Sequence, residues 1–255
     1  MNMQKYEAPA TGMINFGQER MDASDFIPPR VKVLQAMSQE TVNDEGVVGD
    51  FFNTLTRENY GKALRFIPLT TFKNRLLIVR PERRDEINKV LAPVTGKKTT
   101  VEGDGLQCRS LDTIVGVGSP GMECAECPLS QWVGKFPPLC SESYNVTAMN
   151  ELGDLIILSF SKSAAKTGKK LISMMRMRRE KPWTSIFEAT THKESNDKGT
   201  FAVPEIRVTG ERTDDTLLRV AAEWMTELSG RVIDLSSEEY AEEPVGAPEE
   251  GEAPF

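Results

Sequence analysis

Apolar and polar residues alternate most clearly in the second half of the chain. "SYNVTAM" (143–149) and "DLIILSFS" (154–161) read as two strands joined by the turn signal "NELG". "WTSIFEATTH" (183–192) and "TFAVPEIRVTG" (200–210) read as a second pair, joined by "KESNDKG". Between the pairs, "SAAKTGKKLISMMRMRR" (163–179) changes to helical spacing, with Ala164, Gly168, Leu171 and Met175 on one face. A last helix starts near Thr213, a suitable N-cap, with Asp214 and Asp215 favourable at the positive end and Gly230 at its close. Leu217, Ala221, Trp224, Met225 and Leu228 make its apolar stripe.

The first half is less regular. The double proline in "DFIPPRVKVLQAMS" (25–38) forces an extended entry into the ordered part. A strand is expected from about Lys62 to Leu69, a second over "FKNRLLIVR" (72–80), and a short helix over "PERRDEINKVLAP", ending before Pro93. Residues 106–140 are rich in Gly and Pro and show little periodicity, so something other than an apolar core has to hold them. Counted from Phe72, the order is strand, insertion, strand, strand, helix, strand, strand. That is the order of an OB-fold. The expected class is α+β, mainly β: an OB-like Greek-key barrel with an inserted four-cysteine zinc module and flanking helices. Three parts are expected: a flexible arm over 1–25, a core over 26–230, and a disordered tail over 231–255.

Composition narrows the class. The chain has 255 residues, 39% apolar and 27% charged, as in soluble globular proteins. No apolar run approaches the ~20 residues of a membrane span, and the N-terminus lacks a signal pattern. A cytoplasmic protein is expected, with no membrane contact. The net charge of −7 lies wholly in the tail, where Arg231 is set against eight acids. The rest of the chain is balanced and can still present one basic face.

The four cysteines, Cys108, Cys124, Cys127 and Cys140, all lie in the aperiodic segment. Cys124 and Cys127 form a C-x2-C knuckle, whose spacing lets both thiolates reach one tetrahedral ion. Cys108 and Cys140 would close the site, and four thiolates leave no open position, so the zinc would be structural. The alternative is a redox C-x2-C with two bystander cysteines. On the central helix, Lys162, Lys166, Lys169, Ser173 and Arg176 form a stripe with Lys170 beside it, suited either to a solvated face or to phosphate. In an OB-fold the helix at this position usually plugs the barrel bottom, away from the ligand groove. Further bases alternate with apolar residues on the strands, among them Arg65, Lys73 and Arg75, and Trp132 and Tyr144 are the aromatics expected to be exposed for base stacking. A single histidine, no phosphate-binding loop and no recognisable carboxylate set leave little for catalysis, so no enzyme is expected.

The tail closes on "GEAPF" (251–255). A flexible polyanion can occupy a basic groove until nucleic acid displaces it, and an apolar residue beside a carboxylate can anchor in a partner's pocket. "GEAPF" resembles the acidic, Phe-terminated tails of bacterial and bacteriophage single-stranded DNA-binding proteins. The resemblance implies an OB-type core, in some members a structural zinc subdomain, binding of single-stranded DNA in replication, recombination or repair, and docking of replication or recombination proteins. Here Glu249, Glu250, Glu252, Pro254 and Phe255 would carry the docking. The zinc subdomain of those proteins mixes His with Cys, whereas this chain offers four cysteines. The segments "IPPRVKVLQAMS" and "CAECPLSQWVGKFPPLC" are similar to a second family of phage proteins, which implies a phage origin. The expected function is single-strand binding with little sequence preference. The alternatives are a zinc-containing phage transcription or replication accessory factor acting by protein contacts, and a zinc-stabilised virion protein.

Overall fold

The structure, a computed structural model, describes residues 27, 29–81, 84–95, 105–132, 137–196, 199–230 and 233–235. The expected arm over 1–25 and the docking residues Glu249, Glu250, Glu252, Pro254 and Phe255 lie outside the described residues. The chain enters through β1 (Arg30–Val33), a single turn α1 (Gln39–Val42), β2 (Phe51–Asn53) and β3 (Asn59–Gly61). It continues through the long β4 (Ala63–Val79), α2 (Arg84–Thr95), β5 (Gly105–Ser110) and β6 (Val117–Gly118). Then follow β7 (Ser141–Met149), β8 (Leu155–Ser161), α3 (Ala165–Met177), β9 (Ser185–Asn196), β10 (Gly199–Arg212) and α4 (Asp215–Glu227).

The strands form one mixed sheet in the order β10-β9-β4-β7-β8-β1-β2-β3, with β5 on β4 and β6 on β5. The two strands expected over 62–69 and 72–80 are a single strand, because nothing in "PLTTF" terminates pairing. A register shift between Pro68 and Thr70 absorbs the irregularity. Residues 63–66 pair with β9, 67–76 with β7 and 75–79 with β5. The hairpins β7–β8 and β9–β10 form as the alternation predicts. Pro204, which cannot donate to a ladder, sits on the edge strand β10.

The expected closed barrel does not form; the sheet is open. β1 occupies the edge of β8 in parallel, guided by the extended Pro29, whose carbonyl accepts from the Ile157 amide at 2.9 Å. That edge is the one β10 would need for closure. A side chain, not a backbone ladder, reaches across: the Gln35 Nε2 donates to the Ala202 carbonyl and its Oε1 accepts from the Ala202 amide, both at 2.9 Å.

Helices α3 and α4 cover the sheet, and Ile87 of α2 joins Leu77 and Val79 of β4 in a further buried cluster. The α3 residues Leu171, Ile172 and Met175 join Val146, Leu158, Phe160 and Phe187 in one buried cluster. The α4 stripe packs on another, around Ile67, Leu69 and Met149. Asp214, not Thr213, caps α4: its Oδ1 accepts from the amides of Thr216 and Leu217. α2 runs through Pro93 to Thr95. Beyond α4, Leu235 is fully buried and Asp234 meets Arg109 at 2.5 Å, so the root of the acidic segment lies against β5. Among the described residues no helix is long and apolar enough to cross a membrane.

Candidate nucleic-acid interface

The antiparallel pairing of β4 with β7 sets Lys73 opposite Tyr144 and Arg75 opposite Glu142. Residues directly opposite share a sheet face, so these four side chains form one group. Lys73 Nζ lies 2.9 Å from Glu142 Oε1, Arg75 Nη2 lies 3.4 Å from Glu142 Oε2, and the Tyr144 hydroxyl donates to Oε2 at 3.1 Å. Burial pushes the Glu142 carboxyl upward, but the hydrogen bond from Lys73 and the nearby Arg75 outweigh it and hold the group below its ordinary value. An ionised Glu142 thus gathers two cations.

α3 brings more. Its sequence favours helix through Ala, Lys, Leu and Met, and Arg176 in the last turn suits the helix dipole. Its buried face is Gly168, Leu171, Ile172 and Met175; Lys166, Lys169, Lys170 and Arg176 are exposed. Gly168 allows a close approach to the sheet: a Cβ there would stand 2.7 Å from the Cβ of Phe160 and 2.8 Å from that of Tyr144. The approach brings Lys169 Nζ to 5.3 Å from the Tyr144 ring centre, while Lys73 Nζ lies 4.7 Å from the same centre. Lys162 is exposed in the short 3-10 turn Lys162–Ala164 that precedes α3.

Not every expected residue joins this group. Arg65 lies eight positions before Lys73 on β4, about 26 Å along a strand, and is held by Glu151 and Glu211 at 2.9 and 2.7 Å. Tyr144, expected to be exposed, is 6% exposed, because its position alternates inward with Val146 and Ala148 onto the face that α3 covers. Its ring is covered and cannot stack on a base. Trp132 is 68% exposed. Two residues before it, the Ser130 carbonyl accepts from Arg75 Nη1 at 3.3 Å, which ties the loop carrying Trp132 to the Arg75 end of the group.

The four cysteines are free and line one cavity together with Leu77, Met122 and Leu129. Among the described residues no three His, Cys, Asp or Glu side chains are grouped closely enough to form a metal cage. Burial pushes the Cys108, Cys127 and Cys140 thiols up, Cys140 to about 12. The Ser130 hydroxyl donates to the Cys127 carbonyl at 2.8 Å and also to that of Cys124. His192 lies on β9, 3.0 Å from Glu194 and apart from the cysteines in sequence.

Sequence reasoning missed Glu142 and Ser130. Glu142 stands two residues before Tyr144 and hence on the same strand face, a signal that alternation alone carries. Ser130 acts through its carbonyl and a knuckle turn, for which the sequence has no local mark.

A protein family described as Pam3 phage gp34-like protein matches residues 4–86 and 138–233, well over half of the chain. The matched parts contain Lys73, Arg75, Glu142, Tyr144 and the whole of α3; residues 87–137, with Cys108, Cys124, Cys127 and Trp132, fall between them. No curated protein and no solved structure matches the chain.

Proposed function

The chain belongs to the Pam3 phage gp34-like protein family, and from that premise we propose that it binds single-stranded nucleic acid, with DNA as the ligand, during phage replication, recombination or repair. The observation that carries the reading is the meeting of Lys73 from β4 and Lys169 from α3 over one ring, beside Arg75. Glu142 sits among these cations as a carboxylate where a phosphate would sit. Lys162, Lys166, Lys170 and Arg176 extend the positive surface along α3. Trp132 supplies an exposed ring at the Arg75 end. A cationic track with an aromatic platform suits single strands, whose bases are free to stack. The pairing of β4 with both β7 and β9, with α3 between β8 and β9, supports an OB-derived core whose closing edge has been taken by β1.

In this reading the acidic segment competes with DNA for the same cations, and Glu249, Glu250, Glu252, Pro254 and Phe255 dock a replication or recombination protein. The test is fluorescence anisotropy of a labelled oligo-dT, with duplex DNA as competitor, at two salt concentrations. Binding that prefers the single strand and weakens steeply with salt is expected. Equal affinity for duplex, or no salt dependence, would overturn the reading.

One observation favours the accessory-factor alternative. Ile114, Val115 and Val117 are exposed apolar residues close together beside β5, as in a protein-contact patch. On that alternative the protein ignores oligo-dT.

A further inference from the structure

The segment 105–140 poses a physical problem that its own residues do not solve. Among its described residues the buried apolar side chains are few: Leu129, Cys124 and Cys127, of which Leu129 and Cys127 join Leu77, Val79 and Ile87 in one cluster. Yet it wraps tightly. A Cβ on Gly116 would stand 2.8 Å from the Cys108 sulfur, and one on Gly118 would overlap the Gln107 carbonyl. The Gly116 amide donates to the Met122 carbonyl and the Cys124 amide to the Ile114 carbonyl, drawing the knuckle onto the β5–β6 hairpin. The result is that Cys108 on β5, the Cys124–Cys127 turn and Cys140 just before β7 border a single cavity of about 20 Å³, room for one water-sized particle.

Backbone amides and one cation face the sulfurs, although burial outweighs them and keeps the Cys108, Cys127 and Cys140 thiols raised. The Gly121 amide donates to the Cys108 sulfur, and the Leu129 and Ser130 amides donate to that of Cys127. Arg75 places positive charge near Cys127 and Cys140. Buried cysteines that serve only as small apolar fillers do not need amide donors aimed at sulfur.

We infer that Cys108, Cys124, Cys127 and Cys140 bind one zinc ion, which staples β5, the knuckle and the start of β7 together. Zinc closes the site by drawing the four sulfurs to about 2.3 Å from itself. Four Zn–S bonds form and the four thiols release their protons to solvent; nothing is oxidised or reduced. The staple adds to the small apolar cluster around Leu77, Val79, Ile87 and Leu129 and holds the Ser130 carbonyl against Arg75. It also accounts for why all four cysteines lie within one segment, three of them between the two matched parts and Cys140 at the start of the second.

The test uses the full chain and no nucleic acid, so its outcome is independent of the DNA reading. Elemental analysis and native mass spectrometry of protein purified without chelator should show one zinc per chain, with four thiols that resist a thiol reagent until the metal is removed. Reconstitution with cobalt should give the sulfur-to-cobalt charge-transfer band and the d–d bands of a tetrahedral thiolate site, and Cys140→Ser should weaken the charge-transfer band. Chelation should open 105–140 to protease while β7 to β10 stay intact. Metal-free protein with four freely reactive thiols, a pair of disulfides, or a Cys140→Ser cobalt spectrum identical to that of the wild type would overturn the inference.

Discussion

Lys73 on β4 and Lys169 on α3, ninety-six positions apart, hold their ammonium groups 4.7 and 5.3 Å from the centre of the Tyr144 ring. Neither lysine can be placed beside the other from local sequence; the close approach of α3 to β7 does it. If both face phosphate, Lys73→Ala with Lys169→Ala should lower oligo-dT affinity and reduce the slope of log affinity against log salt by about 1.4, two contacts' worth for single strands. Arg65→Ala, at the far end of β4, should leave the slope unchanged. An unchanged slope in the double variant would place the DNA elsewhere.

Glu142 holds Lys73 and Arg75 in the folded protein. Glu142→Gln removes the internal competitor while keeping the shape of the side chain. Oligo-dT binding should tighten, most at low salt where screening is weakest. Weaker binding would mean that Glu142 serves the interface by positioning the two cations and does not compete with phosphate.

The two expected aromatic platforms have different tasks. Trp132→Ala should weaken oligo-dT binding by about 1–3 kcal/mol, the range for one stacked base, with the melting temperature unchanged. Tyr144→Ala should cost about 3 kcal/mol of stability by opening a cavity under α3, while Tyr144→Phe, which keeps the ring, should stay near wild type. Thermal unfolding and anisotropy on the three variants separate the roles.

Gly168→Ala runs against helix propensity. In an open helix the change would stabilise by about 1 kcal/mol. Here the new Cβ meets the Cβ atoms of Phe160 and Tyr144 below 3 Å, so α3 has to move out and overpacking should cost about 1–3 kcal/mol. A raised melting temperature would show that α3 is not held against the sheet.

Glu40 is buried and lies 2.9 Å from Lys32 and 3.3 Å from Arg57. Burial raises its carboxyl, but the Lys32 hydrogen bond and the two cations together lower it below 4.5. The folded value being the lower one, the pair stabilises fully above pH 4.5, and the contribution disappears as pH falls through the folded value. Glu40→Gln should cost about 2 kcal/mol at neutral pH, between the limits for exposed and buried pairs, and the difference from wild type should shrink in acid. Urea unfolding at neutral and acidic pH measures both.

Local spacing determined a good part of this protein. Alternation marked β7, β8, β9 and β10; helical spacing marked which faces of α3 and α4 are buried; and the cysteines stood together in the one stretch without periodicity. These features depend on residues a few positions apart, and side-chain direction within an element follows from its period. Tertiary structure alone decided the rest. Whether "PLTTF" bends or continues depends on β7 and β9, which pair across it. Whether the sheet closes depends on β1, which took the edge of β8. The fates of Tyr144 and Trp132, one covered by α3 and one left open beside Ser130, were decided in the same way. Edge occupancy and helix docking join residues far apart in sequence, and no periodicity encodes which distant partner arrives first or fits closest.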